Sequence, residues 1–434
     1  MNLGMLLRTI HRHWYMRDRP AYAALLRHVD TAGDVWKASQ AEVAAWWERR
    51  QESSISLSVP DRGTLHVSCP LDACVVEVDG AELRAAPFTC SIPTTLPAGD
   101  VTIRYHYRGR FAFLVPEILG HLGYRHLAHS ADEDAADIAG GGLEPILAVL
   151  HQSSTAHQRY DVGALARLRE LIAGAHHRYG LPDVRIWTLP HRSGRPFRVG
   201  VSTRYDVDKA IVNLPAIHEL EARHGLRSTV YLRPMGPFYG PREIIRYCRS
   251  GCGAEVALHG EFITTSRDGF ADEFAAARGE KQRLEEITGT AVHGVCMHGG
   301  ELQSNTTPRT RDAIDGAGFR YETMYRNHYH HPLHVATHDS VRRTLSIGQH
   351  YADISVTPEP GFSERLLGSF IDHLSQATAA GGIFVPVLHP LYFDLAHYLR
   401  SPANLLRLIA FMPKFISALA HMRGGDFYYD DRRR

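Results

Sequence analysis

Two carboxylates separated by one residue, Asp206 and Asp208, close the stretch VGVSTRYDVD at residues 199–208. The stretch begins as a short apolar strand. Alternate side chains of a strand face the same way, so both acids can point into one site. That site would lie at the C-terminal end of the strand, where α/β folds commonly carry chemistry. Three later apolar runs also end in an imidazole: His259 in AEVALHG, His298 in AVHGVCMHGG and His389 in GIFVPVLHP. A lone histidine is more often structural than functional. Acids and imidazoles recurring at four strand ends suit zinc or another divalent metal, with positions left open for water and substrate. The chemistry expected is metal-assisted.

The elements that must position these groups follow from periodicity. From residue 197 onward, β-rich apolar runs alternate with amphipathic helical stretches. VGVST, STVYL, AEVALHG, AVHGVCM, FRYETM and GIFVPVLHP read as strands, with helices at 210–224, 241–249, 270–287, 308–317 and 362–380. Repeated β-then-α units imply parallel strands with helices outside. About six or seven units predict an α/β fold built on a (β/α) barrel, incomplete and seven-stranded, whose strand ends converge on one face. Ahead of it the chain divides into a helical segment at 1–50, a small β-sandwich-like module at 53–108 and a helical connecting region at 109–192. The catalytic unit is expected at 193–434. Ser39 and Glu42 form a capping-box pattern before an apolar helix face.

Composition narrows the function classes. The 434 residues carry 48 basic and 47 acidic side chains, for a formal net charge of +1. No basic stripe interleaved with aromatics occurs, so no nucleic-acid partner is expected. No apolar run reaches the roughly 18 residues of a membrane span. Residues 405–422 are interrupted by Arg407 and Lys414 and read as an amphipathic helix. Peripheral contact with a membrane, and the oligomeric state, stay open. The first residues lack the small-residue cleavage site of an export signal. The expected location is therefore cytoplasmic, with the six cysteines as thiols.

The motifs VGVSTRYDVD, GLRSTVYL, GAEVALHGEF, LEEITGTAVHGVCMHGG, GAGFRYET and FVPVLHP follow one another over about residues 195–400. In order and spacing they resemble the polysaccharide deacetylase superfamily, carbohydrate esterase family 4. Its members include the nodulation-factor chitooligosaccharide deacetylases. The resemblance implies a metal-dependent amide hydrolase. It implies Asp206 as the general base, Asp208 and His259 as metal ligands, and His389 as the acid that protonates the leaving amine. The family's second metal-binding histidine would fall on Ile263, so a third ligand must come from elsewhere. Glu261 shares strand parity with His259. His298 is the better substitute, in a motif that one branch linked to surface-polysaccharide biosynthesis writes Arg-x-His. The arginine of that motif, which holds the catalytic Asp, would fall on Cys296, and Arg204 beside the acids is the candidate to compensate. Asp353 is a loose match to a further active-site acid.

The function expected is N-deacetylation of an N-acetylated sugar, sugar nucleotide or lipid-linked glycan in envelope-polysaccharide metabolism, with carbohydrate as the partner. The alternatives are a non-catalytic glycan-binding member of the fold, a different amide hydrolase such as a deformylase, and a structural partner in a biosynthetic complex. The β-module could bind glycan, position the catalytic unit or brace it. Two further stretches stand outside this scheme. RNHYHHPLHVATHD, with His328, His330, His331, His334 and His338, reads either as a polar loop at the barrel mouth or as a second metal site. Residues 1–50 resemble the C-terminal tail of another deacetylase domain, including a Gly-Asp-Val-Trp strand and a Trp-rich helix; a generic helical cap is the other reading.

Overall fold

The computed structural model describes residues 17–70, 72–80, 82–86, 88–130, 142–157, 159–236, 238–251, 253–261, 270–297, 308–323, 330–351, 356, 360–407 and 409–410. A nine-stranded sheet organises the second half of the chain. In spatial order it contains Leu333–Ala336, Val341–Ser346, Tyr321–Glu322, Gly294–Met297, Glu255–Gly260, Thr229–Leu232, Arg204–Asp206, Pro386–Leu388 and His350–Tyr351. Every neighbouring pair is parallel except the first, which is an antiparallel hairpin.

Side-chain alternation splits the apolar residues between two cores. Tyr205, Val207, Val230, Leu232, Leu258 and Val295 face outward, into the layer shared with Ile217, Ile244, Leu284 and Phe370 of the covering helices. Tyr231, Ala257, Cys296 and Tyr321 face inward. The sheet curls strongly. Arg204 Nη1 donates to Thr323 Oγ1 at 3.1 Å, although three strands stand between the two ladders. In a flat sheet they would be about 19 Å apart, at about 4.8 Å per strand. Among the described residues no ladder joins the two edge strands, so the curl stays open.

The sheet has nine strands where seven were expected. Part of the histidine-rich stretch, read as a mouth loop, is in fact the fully buried strand Leu333–Ala336. It turns back through Thr337 and Ser340 to pair with Val341–Ser346. Apolar alternation through LHVA and VRRTLS outweighed the polarity that the histidines suggested.

The N-terminal segment is built into this unit. Val35–Lys37 pairs in parallel with Val199–Val201, which pairs with Ile383–Phe384. These last two strands lead directly into Arg204–Asp206 and Pro386–Leu388. Helix Gln40–Glu52 then starts on the expected capping box, with the Ser39 amide donating to Glu42 Oε2 at 2.8 Å and the Glu42 amide to Ser39 Oγ at 3.3 Å. The amides of Gln40 and Ala41 donate to Thr229 Oγ1 and Glu255 Oε2, each at 2.8 Å. These acceptors begin their strands, so the helix sits at the N-terminal end of the sheet. Its Val43, Ala44 and Trp47 fill the inner core beneath Tyr231 and Cys296. Arg50 staples the plug outward, donating to the carbonyls of Trp187 (2.9 Å), Gly120 (3.0 Å) and Ile186 (3.0 Å).

Residues between helix Gln40–Glu52 and the large sheet include a four-stranded and a three-stranded antiparallel sheet. One contains Gly99–Asp100, Ser56–Asp61, Thr64–Cys69 and Phe88–Pro93. The other contains Val75–Val78, Glu82–Ala85 and Val184–Ile186, the last arriving from beyond the helices Val115–Leu122, Leu143–Gln152 and Val162–Arg178. Those helices share a core that also buries Leu333 and Val335 of the edge strand.

Candidate functional site

Arg204, Asp206 and Asp208 alternate with Tyr205 and Val207, which are buried in the outer core. The three polar side chains therefore belong to the inner face. Arg204 and Asp206 form a bidentate pair, Nε to Oδ1 at 2.7 Å and Nη2 to Oδ2 at 2.7 Å. Both are almost fully buried, at 1% and 4% exposure. The remaining guanidinium nitrogen is held by Thr323 and Gln349, and the group lies over the Tyr231 ring at 4.9 Å. Paired hydrogen bonds of this kind fix a carboxylate in both position and orientation. Burial pushes the Asp206 carboxyl up, but Arg204, with His259 and His389 nearby, outweighs it and holds the group below the usual carboxylate range.

His259 stands between the second acid and a thiol. Its Nε2 is 3.1 Å from Asp208 Oδ1, and its Nδ1 is 3.2 Å from Cys296 Sγ. Cys296 Sγ is in turn 3.8 Å from Asp206 Oδ1. The ladder pairs His259 directly with Cys296, which brings the two side chains together on the inner face. His259 and Cys296 are buried, whereas the Asp208 side chain is 22% exposed. Asp208 therefore faces a small cleft that it shares with Asp206, Lys209, His389, Leu391 and Tyr392. His389 is half-buried at the N-cap of the short helix Pro390–Phe393, with its ring 5.7 Å from that of Tyr392. Burial pushes the Lys209 ammonium down, with Asp208 opposing and Arg233 reinforcing that shift.

Asp206, Asp208, His259 and His389 are thus gathered at the C-terminal strand ends, with Arg204 clamped to Asp206. His298, Asp353 and Ile263 lie outside the described residues. Glu261 is engaged elsewhere: it pairs with Arg233, and its amide donates to Glu280 Oε2 at 2.9 Å. Burial pushes the Glu280 carboxyl up to about 7; the Glu261 carboxylate adds to this, and the Glu261 amide and Arg233 oppose it. Sequence reasoning treated Cys296 as a loss and missed its contacts. Period-two alternation in GVCMH, which sets Cys296 and His298 in phase, was the signal that could have found it. Gln349 and Thr323 carried no local signal.

Two groups of side chains among the described residues gather ligand atoms closely enough for an ion: Asp206, His259 and Cys296, and separately His330, His350 and His373. In the second group the His330 and His350 rings stack at 4.3 Å. His350 Nδ1 accepts the Val385 amide at 3.0 Å, which in a neutral ring leaves the proton on Nε2 and removes the lone pair a metal needs. His328 lies outside the described residues, and the other histidines of the stretch disperse. His331 Nε2 is 2.9 Å from the Ala380 carbonyl, His334 Nδ1 is 3.1 Å from the Arg342 carbonyl, and His338 is exposed.

No family model matches this chain, and no curated protein matches it. The solved structures it resembles include polysaccharide deacetylases and a carbohydrate esterase family 4 pseudoenzyme. One, from Mycobacterium smegmatis, is 16% identical with a TM-score of 0.38, over 50% of this chain and 84% of that one. A second, named for O-antigen biosynthesis in Bordetella bronchiseptica, is 16% identical with a TM-score of 0.33, over 48% and 84%. A third, a carbohydrate esterase family 4 pseudoenzyme from Bacillus anthracis, is 14% identical with a TM-score of 0.29, over 45% and 58%. No helix among the described residues is long and apolar enough to cross a membrane.

Proposed function

We propose that this chain is a metal-dependent amide hydrolase of the polysaccharide deacetylase type. Its substrate would be an N-acetylated sugar, sugar nucleotide or lipid-linked glycan of envelope-polysaccharide metabolism. The observation that carries the reading is the clamped, buried Asp206 beside the Asp208–His259 pair, with His389 lining the same cleft.

The donor chemistry fits a divalent ion. Asp208 Oδ1 and His259 Nε2 are 3.1 Å apart, close to the roughly 3.4 Å that separates two ligands of one tetrahedral zinc. Asp208, His259 and His298 would hold it, one carboxylate and two imidazoles, leaving a position open. Bound there, the ion would polarise an acetyl carbonyl and acidify a water. The remaining work belongs to the side chains. Asp206, kept ionised by Arg204, takes a proton from the attacking water as its oxygen bonds to the acetyl carbon. His389 delivers a proton to the nitrogen as the C–N bond breaks, so acetate and a free amine leave.

A glycan-binding protein without catalysis is the second reading. What favours it is that both Asp206 oxygens already accept from Arg204. Elemental analysis of the purified protein, with acetate and formate release measured from N-acetylhexosamines and a panel of other amides, separates the two. About one zinc-class ion per chain with acetate release is expected, together with loss of metal in His298→Ala. Metal-replete protein inert across the panel would favour the binding reading. Full occupancy in His298→Ala would remove His298 from the ligand set.

A further inference from the structure

We propose that Cys296 is a positioning residue for His259: its sulfur accepts a hydrogen bond from Nδ1 and holds Nε2 toward Asp208, where a divalent ion would replace the Nε2 proton. The inference rests on the hydrolase reading above and deepens it.

The argument runs along one chain of contacts. Both Asp206 oxygens accept from Arg204, so this carboxylate can only accept. The Cys296 thiol, 3.8 Å from Oδ1, is therefore oriented with S–H toward Asp206. Its lone pairs then face His259 Nδ1 at 3.2 Å. An acceptor on that side keeps a proton on Nδ1, so that Nε2, which reaches Asp208 Oδ1 at 3.1 Å, is the nitrogen that would exchange its proton for the ion. Histidines that bind metals commonly use their second nitrogen in this way, donating to a carboxylate or carbonyl that sets the ring orientation. Here a thiol occupies that place and links the metal-facing imidazole to the acid base. Cys296 is fully buried, so no water competes for the ring.

The same three residues could instead be read as an ion site, with Cys296 as a ligand. That position is unfavourable. The Arg204 guanidinium already occupies both Asp206 oxygens and would repel a cation, and burial leaves no open position for a substrate.

The test is zinc affinity of the full chain by competition with a chromophoric chelator, for wild type, Cys296→Ala and Cys296→Ser. Thermal melting serves as the fold control. Loss of an orienting partner lowers metal affinity by roughly ten- to a hundredfold. That loss is expected in Cys296→Ala, with a smaller one in Cys296→Ser, whose hydroxyl can still accept. In the zinc-loaded wild type, a protected His259 Nδ1 proton should be visible by ¹H–¹⁵N NMR and vanish in the Ala variant. The cobalt-substituted wild type should lack a sulfur-to-metal charge-transfer band. Unchanged affinity in a folded Cys296→Ala, or a charge-transfer band in wild type, would overturn the proposal. If Cys296→Ala does not fold, the Cys296→Ser affinity and the NMR signal decide it. A wild-type chain that binds no zinc would overturn this inference and the hydrolase reading together, whereas zinc binding insensitive to Cys296 overturns the inference alone.

Discussion

At the scale of single residues, the Arg204–Asp206 pair fixes the position and charge of the first acid. A buried pair that loses one partner leaves an uncompensated charge, at a cost of about 3–5 kcal/mol. Arg204→Leu should lower unfolding stability by that order in urea titrations. Arg204→Lys keeps the charge but not the two-pronged geometry. It should let the Asp206 pKa rise, moving the acid limb of the pH–rate profile to higher pH. The stability linkage has a definite sign. Asp206 titrates below its ordinary 3.8 in the folded chain, so its contribution is fully present above that pH and is lost as pH falls through the lower folded value. Glu280 behaves in the opposite sense. Its carboxyl is raised from 4.5 to about 7, so its ionisation opposes folding as pH climbs through that window. Glu280→Gln, which keeps an acceptor for the Glu261 amide, should leave stability at about pH 4, below the unfolded-state value, nearly unchanged. At pH 8 it should raise stability by about 3 kcal/mol, taking about 1.4 kcal/mol per pKa unit.

At the scale of elements, the plug helix Gln40–Glu52 and the site occupy opposite ends of one inner core. Trp47 is fully buried in that core together with Tyr231 and Cys296. Truncating a buried Trp costs about 3–5 kcal/mol. Trp47→Ala should therefore lower the melting temperature markedly, and it should weaken metal binding through Cys296, which shares its core. A Trp47→Ala variant with full stability would remove the plug from the account. Much of this element was legible in the chain. The Ser39–Glu42 box and the apolar face after it announce a helix. What it packs beneath was not legible, because its partners lie about two hundred residues away.

At the scale of the whole molecule, the start of helix Asp18–Ala32 lies beside the chain leaving the His389 strand end. Arg17, Arg19 and Pro20 share a cleft with Tyr392, Phe393 and Asp394, and Ser363 Oγ donates to the Arg17 carbonyl at 3.0 Å. Tyr22 then reaches Thr203 Oγ1 at 2.8 Å and Glu221 Oε1 at 2.7 Å. Residues 17–52 therefore pack into the later unit from the opposite end of the sequence. A chain lacking residues 1–52 should fail to fold. Moving residues 17–52 to follow residue 410 through a flexible linker should restore cooperative melting and metal content. A stable, metal-binding truncation would refute this.

The amino-acid sequence by itself determined what depends on local period and chemistry. It set the β–α alternation, the shared face of Asp206 and Asp208, the imidazoles at His259 and His389, and the capping box. These follow from neighbours one to four residues apart, where a strand or helix leaves few choices. Only the tertiary structure decided the rest. Curling of the sheet carried Thr323 and Gln349 to Arg204, and the parallel ladder seated Cys296 against His259. Docking of the N-terminal segment closed the inner core. Each is a closure between distant strands, set by how the sheet bends and what fills it, and no short-range pattern encodes that. The two acids that first drew attention differ in surroundings because of those closures: one is clamped by Arg204, and the other faces the cleft beside His259.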